Sequence, residues 1–110
     1  MTKDTIAAIA TPLSNSGIGI IRVSGKDALS IVDSIFVNPK KKHILSSMES
    51  HTISYGFLLD GDDFLDEVLV SYFKGPKSFT AEDTVEINCH GGIFVLKKAL
   101  SLVISVEEQQ

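Results

Sequence analysis

Hydrophobic and polar positions follow two different periods along this chain, and the switches between them predict its elements. Residues 5 to 10 (Thr-Ile-Ala-Ala-Ile-Ala) form a short apolar run stopped by Thr11-Pro12, and proline disfavours helix for the residue before it, so a first strand is expected. Ser14-Asn15-Ser16-Gly17 reads as a loop. The β-branched run from Ile18 to Ser24 predicts a second strand, with Ile18, Ile20, Arg22 and Ser24 on one face and Gly19, Ile21 and Val23 on the other. Ser24 and Asp27 have the spacing of a capping box, and Ala28, Ile31, Val32 and Ile35 repeat at helical intervals, so a helix is expected over about 26 to 36.

From His51 the period returns to two. Ile53, Tyr55, Phe57 and Leu59 share one face and Thr52, Ser54 and Gly56 the other, the mark of a half-buried strand. Asp60-Gly61-Asp62-Asp63 predicts a turn, and residues 65 to 73 a strand that returns as an antiparallel hairpin. Lys74-Gly75-Pro76-Lys77 breaks it. Thr84 to Cys89 predicts a further strand with Val85, Ile87 and Cys89 on an apolar face and Thr84, Glu86 and Asn88 on a polar one. After His90-Gly91-Gly92, the stripe Val95, Leu96, Ala99, Leu102, Val103 predicts a closing helix over about 92 to 105. The order strand, strand, helix, strand, strand, strand, helix predicts an α+β fold: a mostly antiparallel or mixed five-stranded sheet with two main helices.

At 110 residues the chain has room for one core, so residues 1–110 are expected to form a single domain. A hydrophobic fraction of 44% with 22% charged residues fits a globular chain without a membrane span. No apolar leader follows Met1, and the single cysteine, Cys89, builds neither an intrachain disulfide nor a cysteine zinc site, so a cytoplasmic location is expected. The formal charge of −4 makes this domain a poor primary grip for nucleic acid, which is held by cations displacing phosphate counterions. Lys40-Lys41-Lys42-His43 after Asn38-Pro39 reads as a solvated loop in preference to a nucleic-acid patch.

Several chemistries are excluded. Gly75-Pro76-Lys77-Ser78 has proline where a phosphate-binding loop needs glycine before its lysine, and the upstream glycine is missing. His43, His51 and His90 lack metal-ligand spacing, and no Gly-x-Ser-x-Gly elbow or Cys-x-x-Cys pair is present, so no metal site and no catalytic residue is assigned. The glycines of 17 to 19 allow either a ligand's close approach or an ordinary turn. The His90-Gly91-Gly92 turn offers either anion-binding amides at a helix start or a tight connection. Arg22 and Glu86 are charged residues inside strands, where they pair, face water, or line a cleft together. Such a pair suits an amino-pyrimidinone edge, since a carboxylate accepts two parallel N–H bonds and a guanidinium donates to a carbonyl or carboxylate.

The blocks Asp4-Thr-Ile-Ala-Ala-Ile-Ala-Thr-Pro-Leu13, Gly17-Ile-Gly-Ile-Ile-Arg-Val-Ser-Gly25, Gly75-Pro-Lys-Ser-Phe-Thr-Ala-Glu-Asp83 and Val85-Glu-Ile-Asn-Cys-His-Gly-Gly92 resemble, in order, the opening of the TrmE/MnmE family of tRNA-modification GTPases. The resemblance implies an N-terminal domain shaped like the folate-binding part of aminomethyltransferases. It further implies a site for 5-formyl-tetrahydrofolate or a related one-carbon folate, and a homodimer with pockets at or near the subunit interface. Arg22 and Glu86 fall on the family's folate-contacting positions, with Asn88, His90, Gly91 and Gly92 as candidates for the pocket wall.

By the same resemblance, the rest of a full-length member binds GTP, Mg and potassium outside this segment, and a further cofactor-contacting lysine lies beyond Gln110. With an FAD-containing partner protein such a member modifies C5 of the wobble uridine in tRNA. This segment alone is expected to bind rather than to catalyse. The alternatives are a purely structural dimerisation module and a stand-alone folate-dependent aminomethyl or formyl transferase, for which only His90 or Glu86 is available as a general base.

Overall fold

The computed structural model describes residues 5–11, 17–76 and 82–109. Among them, six strands and two α-helices form two layers. The strands are β1 (Ile6–Ile9), β2 (Gly19–Ser24), β3 (Phe36–Val37), β4 (Thr52–Asp60), β5 (Asp63–Phe73) and β6 (Thr84–Cys89). The helices are α1 (Ala28–Asp33) and α2 (Gly92–Glu108), and a single 3₁₀ turn covers Leu45–Ser47. One sheet runs β1-β2-β6-β5-β4-β3, with every neighbouring pair antiparallel.

The α+β class and the antiparallel sheet match expectation, but the strand count is six rather than five. The additional strand lies where the first helix was expected to continue. Helical periodicity runs through Ile35, but the helix ends at Asp33 because the next residues find better partners in the sheet. Phe36 and Val37 pair with Leu58 and Phe57, and Leu59 donates its amide to the Ile35 carbonyl at 2.9 Å. Ile35 keeps the burial its spacing predicted, but does so from a turn. The expected capping box does not form: Asp27 makes no side-chain cap, and the Ser24 hydroxyl donates instead to Glu82 Oε2 at 3.3 Å.

Both helices pack on the same face of the sheet. Ile31 and Val32 of α1 and Leu96, Ala99 and Val103 of α2 join Ile21, Val23, Val68, Val70, Val85 and Ile87 in one buried core. Gly19 sits under α2, where a Cβ would collide with the Leu96 side chain, so this glycine serves helix-to-sheet packing rather than a ligand. Of the helical stripe predicted for α2, Leu96, Ala99 and Val103 are buried, whereas Val95 and Leu102 remain partly exposed. The loop expected at Ser14 to Ser16 lies outside the described residues, as does Lys77.

The direction of β4 is the least expected feature. Its apolar set points away from the core, with Ile53 65% and Tyr55 45% exposed, whereas Gly56 and Leu58 face inward. Gly56 is required there because a Cβ would fall on the Val37 carbonyl and the Phe36 ring. No helix covers the opposite side of the sheet among the described residues, and that side keeps Ile6 and Ala8 from β1 next to Ser24 and Arg22 from β2.

Candidate ligand site on the open sheet face

Residues directly opposite in an antiparallel ladder project from the same face, so the registers place the predicted site residues in rows. Ala8, Arg22, Glu86, Ser71 and Ile53 form one row across β1, β2, β6, β5 and β4. Ile20, Asn88, Leu69 and Tyr55 form the next. Arg22, Glu86 and Asn88 therefore share the open face, where apolar side chains flank them.

Arg22 and Glu86 are brought together. The guanidinium donates from Nε to Glu86 Oε2 at 2.9 Å, and Nη2 lies 2.8 Å from the same oxygen. Both contacts fall on Oε2, leaving Oε1 able to accept from a ligand. The arginine side chain is 37% exposed and the glutamate 14%, so the pair is half sunk in the sheet surface and reachable from solvent. The pair thus offers a polar ligand a carboxylate acceptor beside a guanidinium donor.

His90 stands at the end of β6 beside a separate cluster. Its Nδ1 donates to the Glu67 carbonyl at 3.0 Å, which leaves Nε2 of the neutral ring as an acceptor. The Tyr55 hydroxyl donates to Glu67 Oε2, a cross-strand bond between β4 and β5. That hydrogen bond to Glu67, reinforced by partial desolvation and by the charge of the same carboxylate, raises the Tyr55 pKa. Tyr55, Glu67, Val68, Leu69 and His90 line a hollow of about 370 Å³. The Tyr55 ring meets Phe57 edge-on at 5.7 Å between centroids, and Phe57 meets Phe64 at 6.0 Å.

Gly91 and Gly92 form the turn that starts α2, and Gly92 takes a φ of +88° that favours glycine. The amides at this helix start are already answered from within the chain. Asp66 Oδ2 accepts from His90 N at 2.8 Å and from Gly91 N at 3.2 Å, and Oδ1 accepts from Glu67 N at 2.9 Å. Asp66 is a buried carboxylate that the sequence pattern did not single out, and it supplies the negative charge that the helix dipole favours. The one available signal was a charged residue on the otherwise apolar inner side of β5, alternating with Val68, Val70 and Tyr72.

Cys89 faces the core beneath α2, and burial, with a smaller contribution from the Asp66 charge, pushes its thiol up to about 12. It is a packing residue. The basic loop is closed on itself: Asn38 Oδ1 accepts from the amides of Lys40 at 3.0 Å and Lys42 at 2.9 Å, and the lysines face solvent at the β3 end of the sheet. A larger hollow of about 650 Å³, lined in part by Lys26, Asp33, His43, Tyr72 and Asp83, includes residues of α1 and so lies apart from the Arg22 and Glu86 pair. Among the described residues no cluster of His, Cys, Asp and Glu could hold a metal ion, and no helix is long and apolar enough to cross a membrane.

Fold and site together define a two-layer α+β domain that displays an arginine–glutamate pair on a partly apolar sheet face that no helix covers among the described residues. The family described as GTP-binding protein TrmE N-terminus matches residues 5–109, and the chain belongs to that family. It is 51% identical over 104 residues to the tRNA modification GTPase MnmE of Lachnoclostridium phytofermentans, covering 94% of this chain and 23% of that protein. The MnmE of Carboxydothermus hydrogenoformans is 51% identical over 106 residues, and that of Bacillus subtilis 50% over 103, with 23% and 22% of those proteins covered. The chain thus spans less than a quarter of the length of these curated relatives.

Proposed function

We propose that this N-terminal domain holds a one-carbon folate of the 5-formyl-tetrahydrofolate type on its open sheet face, and that two copies associate through that face. In this reading Glu86 accepts N–H bonds from the amino-pyrimidinone edge of the pterin, Arg22 orients that carboxylate and donates to a ligand oxygen, and Asn88 and His90 form the adjoining wall. Gly91 and Gly92 set the direction of His90. The observation that carries the reading is the Arg22–Glu86 pair, chemically suited to a pterin, among exposed apolar side chains that can cover a flat ring. When bound, the folate supplies the one-carbon unit; the chain's own residues bind and orient it and exclude water from around it.

Self-association is supported by the exposure of Ile6, Ile53 and Tyr55 on the same side of the sheet, because apolar side chains so displayed mark an interaction surface. In the full-length protein the domain would serve modification of C5 of the wobble uridine in tRNA, together with an FAD-containing partner protein. The G domain would bind GTP, Mg and potassium elsewhere in that chain. A cytoplasmic location accords with this role.

Titration calorimetry with 5-formyl-tetrahydrofolate tests the proposal, with Arg22→Ala and Glu86→Ala beside the parent. Loss of either partner of a charge-assisted hydrogen bond removes about 1.5 to 3 kcal/mol, or more than tenfold in affinity. Binding that neither substitution weakens would falsify the site.

A further inference from the structure

The open face carries two carboxylates in different electrostatic situations. Glu86 is paired with the Arg22 guanidinium, whereas Glu67 has no cation beside it among the described residues and meets only the Tyr55 hydroxyl. A lone exposed carboxylate is ordinary where it stays solvated. Here it stands in the aromatic and apolar surroundings of Tyr55, Phe57 and Leu69, on a face whose apolar exposure marks it for covering. Covering an unpaired carboxylate is costly, so whatever lies over Glu67 has to bring positive charge or hydrogen-bond donors.

The acceptors present narrow the kind of cation. Glu67 Oε2 is taken by Tyr55, which leaves Oε1 as one acceptor. The Tyr55 hydroxyl oxygen, having donated its proton, is a second. His90 Nε2 is a third, because Nδ1 is committed to the Glu67 carbonyl. All three groups line the same hollow of about 370 Å³, Tyr55 bonded to the Glu67 side chain and His90 to the Glu67 carbonyl. Acceptors from three side chains lining one hollow suit the N–H donors of a primary ammonium. A planar guanidinium seeks both oxygens of one carboxylate in parallel, and the Tyr55 hydroxyl competes for one of these. The Tyr55 ring adds a face that attracts a cation.

We propose that the hollow lined by Tyr55, Glu67 and His90 is a binding site for a primary ammonium group, two to four residues along the strands from the row of the Arg22–Glu86 pair. The open face then has two stations of opposite preference: a neutral ion pair suited to a heterocycle edge, and an anionic hollow suited to an alkylammonium. This proposal does not rest on the folate reading, and the two are tested separately.

Amide proton–nitrogen correlation spectra of the 110-residue chain, titrated with ethylammonium chloride against sodium chloride at matched ionic strength, test it. Saturable shifts are expected at Glu67, Val68, Leu69 and His90 that sodium chloride does not produce. Glu67→Gln keeps the shape and removes the charge, and it is expected to weaken the midpoint by about tenfold or more, as for a charged hydrogen bond. Tyr55→Phe should weaken it less, since the carboxylate remains. Shifts that stay linear, that sodium chloride reproduces, or that Glu67→Gln leaves at the same midpoint overturn the proposal. The same spectra report whether each variant is folded, and the calorimetric folate titrations of Arg22 and Glu86 variants decide only the other reading.

Discussion

Arg22 and Glu86 face each other directly across the β2–β6 ladder, and both guanidinium contacts, at 2.9 and 2.8 Å, converge on a single carboxylate oxygen. The arginine of this pair is 37% exposed, so solvent screening holds the contribution of the pair to folding to about 1 kcal/mol. Arg22→Ala and Glu86→Ala are therefore expected to shift the urea midpoint only slightly while weakening folate binding more than about tenfold. A structural role would invert that split, with a large loss of stability and an affinity that follows it. Chemical denaturation alongside calorimetry on the same two variants distinguishes the outcomes.

How much of this was legible in the sequence depends on what each pattern encodes. Alternation in β2 and β6 separated Ile21, Val23, Val85, Ile87 and Cys89 from Arg22, Glu86 and Asn88 correctly, because β6 has one clearly apolar and one clearly polar side and the charge of Arg22 marks the outer side of β2, which Ile20 shares. In β4 the same rule identified two faces without saying which one pointed inward. The more apolar set, Ile53 and Tyr55, is exposed, and the core side is marked by Gly56 and Leu58, of which a glycine carries almost no hydrophobic signal. The early end of α1 was hidden for another reason: helical spacing at Ile35 is a local property, whereas the pairing of Phe36 with Leu58 spans 22 positions and becomes available only in the folded sheet. Asp66 escaped notice likewise, since its partners His90 and Gly91 lie 24 and 25 positions away.

Asp66 carries a prediction of its own. Its carboxylate accepts three backbone amides from a buried position and substitutes for the side-chain N-cap that α2 lacks. Asp66→Ala leaves those amides unanswered and is expected to cost about 2 to 3 kcal/mol, read as a lower urea midpoint with an unchanged slope. Asp66→Asn retains one oxygen and should fall between the two. If Asp66→Ala proves as stable as the parent, water replaces the carboxylate without penalty and the cap has no energetic role.

Cys89 predicts an alkaline limit to stability. The folded thiol keeps its proton up to about 12, against an ordinary value near 9.0. Above the ordinary value the unfolded chain binds fewer protons than the folded one, so this stabilising contribution is complete below about 9, and is lost as pH rises towards about 12. Tyr72, raised by burial and then by the Asp83 charge, adds a loss of the same sign. Cys89→Ala is expected to flatten the fall in melting temperature across that window, leaving the Tyr72 part. The native thiol should also resist a disulfide reagent at pH 8 and react promptly once the protein is unfolded, and equal rates in both states would contradict its burial.

Ile53 separates association from folding. Its side chain is 65% exposed on β4 and ends the cross-strand row that begins at Ala8 and contains Arg22 and Glu86. Replacing it with lysine removes little core contact, and surface changes of this kind stay within about 0.5 kcal/mol. The same change places a charge in the middle of any apolar contact made by this face, where an unpaired cation is costly to bury. Ile53→Lys is therefore expected to melt close to the parent temperature and to be monomeric by light scattering at concentrations where the parent is a dimer. A parent that is monomeric at high micromolar concentration would remove the open face as a self-association surface. A dimer that survives Ile53→Lys would move the contact elsewhere on the domain, leaving the Arg22–Glu86 row facing solvent.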